Sequence, residues 1–322
     1  MTDLLVLLLV LVAIAFAVSI GAHYTGACMG MPYAAGAIRP GTALAIMAPL
    51  ALIGAFLASG GVEGTVGHAI LPDGQVTIGL ALVIVTSAVV LASAYNFLTV
   101  PTSTIQILVF SAVGAGLAAG ISVNWHTIAT LLAVWAIAPL AAFGLGYLVV
   151  RAGGISRPVD PPARQLGRLT VAGLVGVGMA ASFAMGANDV ANASGPLVMT
   201  GTFGLMAAGL VGGFGLALGV LTWGRPLLKR VAFDIVRLDA KMAIAAQLSQ
   251  STVILVSVAF GYFTSMNQAL VGAMIGAGVA RRQRTVLWSS VRGVLTGWAI
   301  GPGSGAALGF ALGWVARHAG GT

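Results

Sequence analysis

Charge is what this 322-residue chain has least of: 7% of it is Asp, Glu, Lys or Arg, against about 25% in a soluble domain. With 59% hydrophobic residues and a mean hydropathy of +1.04, the scarcity excludes an ordinary soluble fold and marks a polytopic membrane protein. A single cysteine, Cys28, excludes an intramolecular disulfide and any multi-cysteine metal site. Acidic side chains number seven, and Asp3, Glu63, Asp73, Asp160, Asp234 and Asp239 all read as terminal or as parts of polar connections. Only Asp189 lies between long apolar runs, Val171 to Met185 and Pro196 to Val220. It has no carboxylate partner in the apolar segments, and His23 has no companion at metal-ligand spacing, so an enzyme is not expected. The net charge of +8 does not imply nucleic acid, because basic residues of membrane proteins collect in cytoplasmic loops. The first apolar run, Leu4 to Ile20, lacks a basic leader and reads as a membrane span rather than a signal peptide.

The surroundings of Asp189 carry the chemistry. An ionisable group at membrane depth costs roughly +2.5 to +3.5 kcal/mol even on lenient scales, so it is functional by default. The octapeptide Gly186-Ala187-Asn188-Asp189-Val190-Ala191-Asn192-Ala193 adds two amides beside it. Asn188, Asn192 and Asp189 offer hard oxygens for a small cation such as sodium, or Asp189 carries a proton; the asparagines could equally be interhelical hydrogen-bond glue. Glycine, 46 residues, implies close helix packing and partly unwound segments.

The chain repeats itself. Thr102-Ser103-Thr104-Ile105-Gln106 matches Thr264-Ser265-Met266-Asn267-Gln268 at an offset of 162. Trp135-Ala136-Ile137-Ala138-Pro139 matches Trp298-Ala299-Ile300-Gly301-Pro302 at 163, and Gly21-Ala22-His23-Tyr24 matches Gly186-Ala187-Asn188-Asp189 at 165. Three ordered matches at nearly one offset mark a duplication: residues 1–150, a polar linker 151–168, and residues 169–322. The linker bears Arg151, Arg157, Arg164 and Arg168, which makes it cytoplasmic. The second-half connection with Arg225, Lys229, Arg230, Arg237 and Lys241 corresponds to Gly60 to Gln75, which has no Lys or Arg; Arg281, Arg282 and Arg284 correspond to the uncharged Ala118 to Asn124. Equivalent loops therefore face opposite sides, and the repeats are inverted. The expected fold is all-α, with about five crossings per half: 3–20, 42–59, 77–97, 102–120 and 127–150, then 169–185, 204–223, 242–261, 263–280 and 286–314. Residues 21–41 and 186–203 are expected as broken or re-entrant pieces, interrupted by Gly26, Gly30, Pro32 and Gly36 and by Gly186, Gly195, Pro196 and Gly201. That is the architecture of secondary transporters, with substrate held near the midplane.

The Thr-Ser motifs read as helix starts. Thr102, Ser103 and Thr104 follow Pro101, and Thr264 and Ser265 follow Gly261. Hydroxyls beside free amides cap a helix and donate to an anion; Gln106 and Gln268 continue the same helix faces. Capping alone would explain one motif, but recurrence in both halves favours a central anion site. His23 either relays protons or satisfies a backbone carbonyl. Gln247, Ser249, Gln250 and Ser251 line a path or serve structure.

The octapeptide resembles the signature of the inorganic phosphate transporter (PiT) family, ion-coupled symporters built from inverted repeats, and the resemblance extends over essentially the whole chain. That family usually has the Asn-Asp motif in both halves and Thr-Thr-His after the helix start. Here His23-Tyr24, Ile105-Gln106 and Asn267-Gln268 stand in those places. The chain is more similar to the family's bacterial sulfate permeases, in Met29, Tyr33, Gly36-Ala37-Ile38 and in Ala191 to Val198. The resemblance implies a multi-pass protein of the bacterial inner membrane and no cofactor beyond a coupling ion. It implies sulfate import with protons; sodium- or proton-coupled phosphate import is the alternative and a passive anion channel a minor one. Thr102, Ser103, Thr104, Thr264, Ser265, Gln106, Gln268 and Asn192 would bind the oxyanion, and Asp189, Asn188 and His23 would serve the coupling ion, H+ or Na+. A homodimer is the expectation from the family.

Overall fold

A computed structural model describes residues 2–98, 102–154, 166–228, 239–281 and 288–319. Within them lie α1 (Thr2–His23), α2 (Thr25–Ala34), α3 (Pro40–Ala58), α4 (Gly60–His68), α5 (Ile78–Leu98), α6 (Thr104–Ala119), α7 (Trp125–Ala152), α8 (Arg168–Met199), α9 (Leu205–Leu228), α10 (Ala240–Ala259), α11 (Met266–Ala280) and α12 (Trp288–His318). Helices satisfy every backbone group internally, which a bilayer demands. Among the described residues, eight stretches are long and apolar enough to cross one, with α1 and α2 counting as a single stretch. Most of the expected crossings coincide with helices to within a few residues. The centre of the linker, with Arg157 and Arg164, lies outside the described residues. So do Pro101, the stretch holding Lys229, Arg230 and Arg237, and Arg282 and Arg284.

Three expectations need correction. The segments 102–120 and 263–280 do not form full crossings. Helix α6 has 16 residues and α11 has 15, about 24 and 22 Å at 1.5 Å per residue, short of a hydrocarbon core of about 30 Å. Each begins late because Ser103 and Ser265 hold extended backbone and cap the first turn. Second, 186–203 is not broken at Gly186, Gly195 or Pro196: α8 runs uninterrupted to Met199 and stops only before Gly201, whose φ is +68°. In the first half the only interruption before Ala34 is Tyr24, and its N–H still reaches the Ile20 carbonyl at 3.2 Å. The glycines serve close approach instead. A Cβ on Gly186 would stand 1.9 Å from the Ala51 carbonyl oxygen, and one on Gly195 2.2 Å from Val66 Cγ1. Pro32 sits inside α2, and the Cys28 carbonyl that its missing N–H leaves free receives the Gln247 side-chain amide. Third, Glu63 is no loop residue: it lies on α4, 1% exposed, against α8.

Most of the close backbone approaches at glycine occur in couples that exchange the two halves. Gly21 meets the Leu216 carbonyl and Gly186 that of Ala51; Gly219 meets Val18 and Gly54 meets Phe183. Each member is displaced from its counterpart by 165 residues. Likewise Gly114 meets Ala306 where Gly276 meets Phe143, and Gly309 meets Ser111 where Gly146 meets Ala273. The helix pairs follow suit: α1 packs on α9 as α8 packs on α3, and α6 on α12 as α11 on α7. Contacts in which i meets j and the counterpart of j meets the counterpart of i are those of a two-fold relation.

Candidate substrate and ion site

The exchanged packing brings the starts of the two short helices together. Gln106 and Gln268 form a reciprocal amide pair, Nε2 to Oε1, at 3.4 and 3.3 Å. Behind them Ser103 Oγ accepts from Gln106 N and Ser265 Oγ from Gln268 N, at 3.5 and 3.4 Å. Two helix N-termini, each with orphan amides and a partial positive charge, therefore begin at one buried place. Thr102, Ser103, Thr104, Thr264 and Ser265 are all buried there.

Helix α8 passes beside these starts and holds one of them. Asn188 clamps the Thr264 backbone from both sides, donating to its carbonyl at 2.7 Å and accepting from its N–H at 3.0 Å. One turn on, Asn192 Nδ2 donates to Thr104 Oγ1 at 3.2 Å and lies 3.4 Å from Asp189 Oδ1. Tyr24 OH reaches the same Thr104 hydroxyl at 3.0 Å. His23 spans Asn96 on Nδ1 and Asn267 on Nε2, the latter at 3.0 Å. Asn96 Nδ2 is committed to Ser19, and Asn267 Nδ2 also faces the Thr102 carbonyl. Hence Asn96 presents its oxygen and Asn267 its NH2, and the ring carries its one proton on Nδ1.

Among the described residues, four oxygens at this place have no hydrogen-bond partner: Asp189 Oδ2, Asn192 Oδ1, Thr102 Oγ1 and Thr264 Oγ1. Buried polar atoms are ordinarily bonded, so such a cluster calls for a reason. The carboxylate and amide oxygens are hard acceptors suited to a proton or a small cation. The two hydroxyls still have a proton to donate to an anion. Among the described residues no three His, Cys, Asp or Glu side chains gather, so a cation here would meet one carboxylate and otherwise neutral oxygens.

All eleven residues singled out in the sequence lie buried at or beside this junction. Asn96 and Asn267 were missed as partners of His23; the signal for Asn96 was an amide in the apolar run of α5. Gln247 and Gln250 do not line an open path. They donate to the Ala27 and Cys28 carbonyls and to that of Met266 respectively, each with its Oε1 unpartnered.

Fold and site together define a multi-pass membrane transport protein rather than an enzyme. The model of the phosphate transporter family matches residues 20–157 and 157–309, and the chain belongs to that family. Sulfate permease CysP of Bacillus subtilis is 29% identical over 91% of this chain and 83% of its own length. A probable low-affinity inorganic phosphate transporter of Mycobacterium bovis is also 29% identical, over 98% of this chain and 83% of its own. Among solved structures, one described as the sodium-dependent phosphate transporter superposes with a TM-score of 0.88 at 20% identity, covering 98% of this chain and 99% of that one. At that identity the likeness speaks for the fold.

Proposed function

We propose that this protein imports a tetrahedral oxyanion by ion-coupled symport, with sulfate as substrate and protons as the coupling ion. The observation that carries the reading is the pair of capped helix starts with unpartnered Thr102 and Thr264 hydroxyls, set beside one lone carboxylate oxygen of Asp189. Thr102, Ser103, Thr104, Thr264, Ser265 and Asn192 contact the anion, with Gln106 and Gln268 parting to admit it; Asp189 with Asn188 forms the coupling site. His23 occupies, as a neutral ring, the place its repeat partner Asn188 holds in the other half.

The donor balance supports sulfate. Sulfate has no proton at neutral pH and suits a pocket of donors, whereas phosphate keeps at least one and gains from an acceptor. In this chain the first-half position equivalent to Asp189 is Tyr24, whose hydroxyl is engaged with Thr104. One carboxylate fewer removes an acceptor for phosphate and a ligand for sodium. CysP, a sulfate permease by name, supports the same substrate; the phosphate transporters keep phosphate, with sodium or protons, as the second reading.

Importing a dianion against a negative-inside potential is opposed by roughly 2.3 kcal/mol per charge per 100 mV, so at least two cations must accompany it. The exchanged glycine contacts support two halves related by a pseudo-two-fold axis. We take that axis to lie in the membrane plane, with 151–168 cytoplasmic, the protein in a bacterial inner membrane as a homodimer, and one bundle rocking against the other. Equilibrium binding of radiolabelled sulfate to purified protein, with unlabelled phosphate as competitor, tests the substrate. Sulfate is expected to be displaced by phosphate only at tenfold or greater excess. Equal displacement would return phosphate as the substrate.

A further inference from the structure

Among the described residues Glu63 is, beside Asp189, the second buried carboxylate, and the site above makes no use of it. It projects from α4 against α9, where a Cβ on Gly209 would stand 2.8 Å from Oε1, so the glycine gives the carboxylate room in this position. Ser194 Oγ, on α8, lies 2.6 Å from Glu63 Oε1 and 3.0 Å from the Val190 carbonyl oxygen. A hydroxyl has one proton and cannot donate to both. If Glu63 is ionised, Ser194 must donate to it. If Glu63 is protonated, its O–H donates to Ser194 Oγ and the serine turns its own proton to Val190, so both short contacts become hydrogen bonds. Ser59, at the α3–α4 junction, donates to the Ala55 carbonyl and lies near the same carboxyl.

Among the described residues no cation compensates an ionised Glu63. Helix α4 packs against α8, α9 and α10. Their basic residues are Arg168, about 39 Å along α8 from Ser194, Arg225, about 24 Å along α9 from Gly209, and Lys241, about 27 Å along α10 from its end at Ala259, the end near α4. On α4 itself His68 pairs with Asp73 at 2.7 Å, and Arg39 opens α3 at its far end. The one other carboxylate on these helices, Asp189, lies five residues before Ser194, about 7.5 Å along the axis, and makes no bond to Glu63. Among the described residues Glu63 has no ion-pair partner. Burial raises its carboxyl above the ordinary range, and hydrogen bonds from Ser194 and Ser59 offset only part of that. A buried charge without a partner is the costly state.

The placement of α4 gives such a proton a consequence. Gly61 abuts Gly261, and Thr65 Oγ1 donates to the Gly261 carbonyl at 2.7 Å, three residues before Thr264 and the start of α11. On its other side α4 holds Ser194, five residues past Asp189 on α8. It therefore bridges the two elements that shape the substrate site.

We infer that Glu63 and Ser194 form a proton-binding site, outside the oxyanion pocket, whose proton is carried through the transport cycle and locks α4 onto α8 in the conformation described. Loss of the proton would leave a carboxylate that α4 must carry toward water, releasing both α8 and the approach to α11. The use of the proton in coupling rests on the symport reading; its presence on Glu63 does not.

Two measurements test this. Infrared spectroscopy of the protein in lipid nanodiscs at neutral pH is expected to show the carbonyl band of a protonated carboxyl that disappears in Glu63→Gln. In Ser194→Ala the band should persist but shift, because its hydrogen-bond partner is gone. If no band is lost in Glu63→Gln, Glu63 is ionised and the inference is overturned. In proteoliposomes with an entrapped pH indicator, Glu63→Gln should retain sulfate exchange but lose accumulation driven by a proton gradient. Wild-type accumulation and acidification in that variant would overturn the role as carrier. A wild type that moves neither sulfate nor phosphate would sink the transport reading, while the infrared band still decides the proton site.

Discussion

The glycine of the motif helix provides a quantitative test of how the two halves pack. A Cβ built on Gly186 stands 1.9 Å from the Ala51 carbonyl oxygen, 2.7 Å from its carbon and 2.9 Å from its Cα. Ordinary contact begins near 3.4 Å, so α8 and α3 would have to part by about 1.5 Å at this level. The obstacle is backbone, which no rotamer change relieves. Overpacking of this kind costs about 1–3 kcal/mol, at times more, and replacing a helical glycine by alanine returns about 1 kcal/mol. With the cost at the upper end, Gly186→Ala should be destabilised by about 2 kcal/mol. Gly176, on the same helix, has nothing within 4 Å of its Cβ position, so Gly176→Ala should gain up to about 1 kcal/mol. Unfolding of the purified variants in detergent should therefore place wild type between them. Gly186→Ala should also lower uptake, because Asn188, Asp189 and Asn192 ride on the displaced segment. A Gly186→Ala protein as stable as wild type would refute the close-packing account and revive the idea of an unwound helix at this motif.

Ser265→Ala removes the cap of α11 and should cost about 1 kcal/mol of stability, while weakening oxyanion binding measured on the same preparation. Restoring the family's first-half pair with His23→Asn and Tyr24→Asp should introduce a dependence of uptake on sodium, read by exchanging sodium for choline. The pH dependence of stability follows from Glu63, whose folded value is raised above its ordinary 4.5. Such a group stabilises the fold fully below the unfolded value and loses that contribution as pH rises through the folded one. Wild type should therefore lose stability relative to Glu63→Gln as pH rises from mildly acidic values, checked by unfolding midpoints of the pair across a pH series.

Much of the architecture was legible because membrane spans announce themselves by length and apolarity, and because the offsets near 163 tied the halves together before any contact was known. The helix starts were equally legible: Ser103 and Ser265 cap in the structure as their positions after Pro101 and Gly261 suggest. What misled was the ambiguity of glycine. Gly186 and Gly195 read as breakers, yet in a bilayer the same residue serves to bring two backbones together, and only the neighbour decides which. Glu63 misled for a related reason. A nine-residue helix of Gly, Val and Thr has too little hydropathy to signal burial, and the hydroxyl that receives its carboxylate comes from 131 residues away. The neutral His23 could not be inferred from spacing either, since Asn96 and Asn267 approach it from opposite halves.

The most direct test of the central claim is uptake of radiolabelled sulfate and, separately, phosphate into proteoliposomes, under a proton gradient, a sodium gradient or neither, for wild type and Asp189→Asn. Sulfate uptake that follows the proton gradient and fails in Asp189→Asn is the result the structure leads us to expect. Phosphate uptake driven by sodium, or flux indifferent to either gradient and unchanged in Asp189→Asn, would contradict it.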